Sequence, residues 1–128
     1  MNQELTNRIR TILLLAAQAN KNIIKPKNIM DKFNCDISTA LDYADIFTLN
    51  GWAKGEYLDI RNENQGSLTL TSSGLQKAED VRNEDRWNKV LNICDGIDNY
   101  SLPVVFEILN RCIVFEIQRE VNKQYTAQ

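Results

Sequence analysis

The chain contains no histidine in 128 residues. Imidazole general-base catalysis and histidine metal ligation are therefore closed to it. Its three cysteines, Cys35, Cys94 and Cys112, are scattered without a close pair. An odd, dispersed set argues against a disulfide framework or a thiolate zinc site. Each reads instead as a small buried hydrophobe, at home in the reducing cytoplasm. The glycines, Gly51, Gly55, Gly66, Gly74 and Gly96, stand too far apart to build a phosphate loop. Glu79-Asp80 and Glu84-Asp85 pair carboxylates as acid and base catalysis requires, but solvated helix surface accounts for them. No nucleophile stands beside a base. The expectation is a binding protein and not an enzyme, with no cofactor and no metal.

Composition narrows the class further. The chain is 43% hydrophobic and 25% charged, values of an ordinary globular domain. Its net charge is −2, so it lacks the broad basic surface of a protein that coats nucleic acid. A local basic surface would still suffice for sequence-specific binding. The apolar run from Ile12 to Ala17 is too short to span a bilayer, and the start of the chain lacks the pattern of a signal peptide. The expected location is the cytoplasm, without a membrane partner.

Periodicity supplies the elements. Residues 6 to 20 predict a helix, with Ile9, Ile12, Leu13, Ala16 and Ala17 on one face and Thr6 or Asn7 as cap. A short helix over 26 to 33 starts on Pro26, whose missing N–H costs nothing there, and stops at Asn34. Residues 38 to 49 predict a third helix, capped by Asp36 or Ser38. Its buried side would carry Ala40, Leu41, Ala44, Phe47 and Thr48, with Asn50-Gly51 closing it. Strands are expected over 57 to 61 and 67 to 71, joined by the polar loop Asn62-Glu63-Asn64-Gln65-Gly66. Residues 72 to 94 return to helix, with a break near Asn83. After a connector from Gly96 to Tyr100, residues 101 to 122 form the last helix, and the tail from Lys123 should fray.

Three stretches carry a family resemblance. Phe33-Asn34-Cys35-Asp36-Ile37-Ser38 looks like the turn of a helix-turn-helix pair. Leu49-Asn50-Gly51-Trp52 looks like the end of a recognition helix. Leu68-Thr69-Leu70-Thr71-Ser72-Ser73-Gly74 looks like a second wing strand running into a helix. Together they resemble winged helix-turn-helix regulators of bacteria. Arg86-Trp87-Asn88-Lys89 is similar to a tryptophan-bearing helix in small winged-helix proteins of bacteria and their phages. The resemblance implies a mainly helical α+β fold: a winged-helix domain over 1–82 and a C-terminal helical extension over 83–128. It also implies binding to double-stranded DNA, transcription regulation and, often, dimers. Some winged helices serve instead as protein-interaction modules, which is the alternative function.

On that resemblance, Ser38, Thr39 and Tyr43 face outward from the third helix and can meet bases or phosphates. Lys25 and Lys27, with Lys21 and Lys32 nearby, would hold the DNA backbone. Arg61, Asn62 and Asn64 of the wing suit a minor groove or phosphate. Asp42 and Asp45 oppose this reading, because they would sit near phosphates. The lysines can equally be a device for solubility. Trp52 and Trp87 could stack on bases, but their apolar surroundings point to the core.

The last helix is apolar around most of its circumference. Leu102, Val105, Phe106, Leu109, Ile113 and Ile117, with Cys112, make one face, and Val104, Ile108 and Phe115 a second. A lone surface helix needs one apolar face. Trp87 and the first helix could cover the excess, but a symmetry mate does so more completely. The six residues named first are therefore the expected homodimer interface.

Overall fold

The computed structural model describes residues 3–56 and 66–126. The elements run α1 (Gln3–Gln18), a 3-10 turn (Asn20–Asn22), β1 (Ile23–Ile24), α2 (Pro26–Phe33), α3 (Ile37–Leu49), β2 (Ala53–Glu56), β3 (Ser67–Leu70), α4 (Ser72–Arg82), α5 (Glu84–Gly96) and α6 (Leu102–Thr126). Three helices with a strand between the first two, then an antiparallel pair of strands, is the winged-helix arrangement. The fold is mainly helical with one small sheet. Packing divides the chain into two compact units. One holds Asn7–Glu79; the other joins the start of the chain, through Thr6, to Asp80 and everything after it.

In the Asn7–Glu79 unit, the core is drawn from the α-helices and the strands. Ile9, Ile12, Leu13 and Ala16 of α1 recur at helical spacing and are buried. Ile29 of α2, Ala40, Ala44 and Phe47 of α3, and Leu68 and Leu70 of β3 join them. Local chemistry sets the boundaries. The Asn28 side chain accepts from the Lys25 N–H at 2.7 Å across the first turn of α2. Asn34 adopts the left-handed conformation, φ 52 and ψ 49, that ends that helix. The Asp36 carboxylate caps α3 by accepting from the Thr39 N–H at 2.8 Å. Gly51, at φ +73, turns the chain after α3, and Trp52 folds back edge-on against Phe47, ring centroids 5.5 Å apart.

The sheet has the order β1-β3-β2, both pairings antiparallel. Ile24 lies opposite Leu68, and Ala53 opposite Leu70. The first wing strand therefore precedes its expected place: it is Ala53–Glu56, and the expected 57–61 falls outside the described residues. Ala-Lys-Gly-Glu has little strand propensity of its own. Its pairing with β3 makes it a strand, and Gly55 comes so close to the Ser67 carbonyl that a side chain there would collide with it. The two-residue β1 was not expected either, because two isoleucines are too few to show alternation. Thr71 joins wing to helix: its hydroxyl donates to the Gly51 carbonyl at 2.6 Å and accepts from the Gly74 N–H at 3.1 Å.

In the other unit, Asn83 interrupts the helix as expected. Its side chain accepts from the Arg86 N–H at 2.8 Å and starts α5 afresh. Arg86 then reaches Glu116 of α6 at 2.6 Å and the Asp80 carbonyl at 3.2 Å. Trp87, Val90, Leu91 and Cys94 of α5 are buried, as are Val105, Phe106 and Leu109 of α6. Two boundaries differ from expectation by three residues or more. The first helix starts at Gln3, so Thr6 is not its cap; its buried hydroxyl donates to the Tyr100 carbonyl at 3.3 Å. The last helix continues to Thr126 through the polar tail.

Candidate functional site

The α2–turn–α3 pair is the place to look for recognition chemistry. Along α3, the residues buried or open follow one period. Ala40, Tyr43, Ala44 and Phe47 lie inward, at i, i+3, i+4 and i+7. Ser38, Asp42, Asp45 and Leu49 lie outward, and Leu49 is 86% exposed. Thr39 sits half-buried at the margin.

Tyr43 does not belong to the outward set. It is 7% exposed, and its hydroxyl accepts from an Arg8 guanidinium N–H at 2.9 Å. Its ring meets Phe33 edge-on at 6.0 Å, and the same guanidinium lies 5.0 Å from the Phe33 ring centroid. Arg8, Phe33 and Tyr43 thus tie together α1, α2 and α3. The signal was present in the sequence, since position 43 falls three residues after Ala40 and four before Phe47. A phenol's double character, apolar ring and polar tip, hid it.

The basic residues before α3 stay open. Lys21, Lys25, Lys27 and Lys32 are exposed. Lys27 approaches Asp31 at 3.9 Å with both side chains well solvated, a pair worth little. Lys54, on the first wing strand, is an exposed cation that the misplaced strand concealed. Arg61, Asn62 and Asn64 lie outside the described residues. Set against these lysines, the outward stripe of α3 carries two carboxylates and no base. Trp52 and Trp87 are buried, so neither ring is offered to a nucleic acid.

The expected dimer face divides in two. Val105, Phe106 and Leu109 are buried, and Leu102 and Ile113 are half-buried. They are covered by the chain itself and do not form an open apolar surface. Ile117 is open, 58% exposed, with Val114, Val121 and Tyr125 beside it at spacings of three and four. The open stripe of α6 thus lies further along the helix, on another face.

Among the described residues, no group of three or more cysteine, aspartate or glutamate side chains could hold a metal ion. No described helix is long and apolar enough to cross a membrane. All three cysteines are free, and Cys94 alone is fully buried. No family model and no curated protein matches the chain. Among solved structures it is similar to a mutant of Lactococcus lactis ZitR in apo form: 14% identity, TM-score 0.49, covering 97% of this chain and 86% of that one. The winged-helix assignment rests on the element order and strand pairing described above.

Proposed function

We propose that the chain is a winged-helix DNA-binding transcription regulator that acts as a homodimer. The observation that carries the reading is the open outer stripe of α3, preceded by exposed lysines on α2 and its cap. In this fold the third helix enters the major groove and the wing lies against the backbone. Ser38 and Thr39, at the start of α3, are short polar side chains suited to base edges or phosphates. Lys25 and Lys27 would hold one phosphate strand, and Lys54 would serve the wing. The dimer would use the open stripe Val114, Ile117, Val121 and Tyr125, pairing α6 with its symmetry mate.

A second reading has its own observation. Asp42 and Asp45, with the almost fully exposed Leu49, make the stripe acidic with an apolar end. That surface fits a basic protein partner better than a phosphate backbone. Binding to a mixed-sequence duplex at about 50 and 200 mM salt separates the two. The DNA reading expects affinity that falls steeply with salt. Lys25→Ala with Lys27→Ala should weaken binding on all sequences alike and flatten the salt slope by about one unit per lost contact. No duplex binding at the lower salt would leave the protein-interaction reading standing. Light scattering at micromolar concentration tests the dimer, and a monomer would overturn that part.

A further inference from the structure

The second unit has a groove of its own between α5 and α6, with a volume of about 320 Å³. Its apolar wall is Ile93, Ile108, Cys112 and Phe115, and Lys89 and Arg111 stand on its edge. Three features set it apart. The first is its charge. Other grooves on the molecule include a carboxylate: Asp31 in one, Glu107 in another, Glu116 and Glu120 in a third. This one is lined by two cations and no acid, in a chain whose net charge is −2.

The second feature is the state of those cations. Lys89 has no ion pair among the described residues. Arg111 shares its charge with Glu107 at 3.1 Å, but both side chains are largely solvated, so the pair gives up little when Arg111 turns to another anion. Arg119 adds a third positive charge, 6.0 Å from the Phe115 ring centroid. The third feature is wet apolar surface: Ile93 is 41% exposed and Phe115 56%. Covering them gains free energy that the folded monomer leaves unused.

We infer that this groove binds an amphipathic anion, a free carboxylic acid with a short aliphatic chain. The chain lies along Ile93, Ile108 and Phe115, and the carboxylate is held between Lys89 and Arg111. An apolar cleft with a few placed polar groups is the usual form of a small-molecule site, and the volume falls at the small end of that range. It equals about ten waters, room for a ligand of the size of octanoate. Ile108, Cys112 and Phe115 recur at four and three residues along α6, so the groove occupies a different face from the stripe assigned to the dimer. The inference does not depend on DNA binding.

The test is a titration of the ¹⁵N-labelled full chain with octanoate, followed by heteronuclear NMR. The amides of Ile93, Ile108 and Cys112 should shift saturably. Octanol, with the chain but no charge, should bind at least about fivefold more weakly, the scale of one charge-assisted hydrogen bond. Lys89→Gln with Arg111→Gln, both at the surface, should weaken octanoate by a similar factor and leave octanol unchanged. No saturable shift up to about 10 mM octanoate, well beyond a millimolar dissociation constant, would overturn the proposal. Equal binding of octanol, or unchanged binding by the double variant, would overturn it too. Groove amides that shift with protein concentration and not with octanoate would show that a second copy fills the groove instead.

Discussion

The outer faces of α3 and α6 are built on opposite terms. The α3 helix buries Ala40, Tyr43, Ala44 and Phe47 and leaves Ser38, Asp42 and Asp45 to solvent, with Leu49 as the one apolar exception. The α6 helix buries Val105, Phe106 and Leu109, then leaves Val114, Phe115, Ile117, Val121 and Tyr125 open. In the unit that contains α3, the exposed large apolar residues among those described are Ile23, Leu49 and Leu75, each on a different element. In the unit that contains α6, five of them fall on that one helix. Its last helix, at 25 residues, is about 37 Å long. It outlasts α5, whose 13 residues reach about 20 Å. Helical segments as short as the remainder are marginal in water without a surface to pack on. On the proposed function, polar recognition and apolar association fall to different helices.

The largest test of this contrast compares buried with open positions on the same helices. Tyr43→Ala should cost about 3–5 kcal/mol and Leu109→Ala about 2–5 kcal/mol, since each leaves a cavity in a packed core. Urea denaturation measures both. Ile117→Asp with Val121→Asp should leave the fold intact and change the scattering mass to that of a monomer, because a charge at an open position is buried only in the dimer. Loss of the fold in that variant would mean that the stripe is structural. Phe106→Asp, by contrast, should unfold the protein whether or not it dimerises.

Smaller effects come from the caps. Asn83→Ala should lower stability by about 1 kcal/mol, because the Arg86 N–H loses its acceptor and the break between α4 and α5 loses its geometry. Ser38→Ala should change stability by no more than about 0.5 kcal/mol, so any loss of duplex binding in it reports recognition.

The smallest effect depends on pH. The Thr39 N–H holds the Asp36 carboxyl below its ordinary value. A depressed folded-state value means that the cap contributes stability above the unfolded value, and loses it as pH falls through the folded one. Asp36→Asn cannot titrate. The advantage of the wild type over it should therefore be present at pH 7 and shrink towards about pH 3, below the usual aspartate range. Thermal midpoints of both proteins at the two pH values check this.

Much of this architecture was written in short-range patterns. Pro26 and Asn34 bracket α2 because proline fits a first turn and asparagine tolerates a left-handed stop. Asp36 and Asn83 start helices with side chains that each reach a backbone N–H three residues on. Such signals are local, so the residues alone determined them. Long-range pairing decided the rest. Ala53–Glu56 is a strand because β3 lies beside it, and Ile23–Ile24 is one for the same reason. The spacing of position 43 marks it as inward, but only the fold brings Arg8, 35 positions away, to answer its hydroxyl. On α6, the sequence by itself determined that two faces are apolar; only the packing of α5 decided which of them is covered. Periodicity orders residues around a helix, but it carries no information on which direction holds the neighbour.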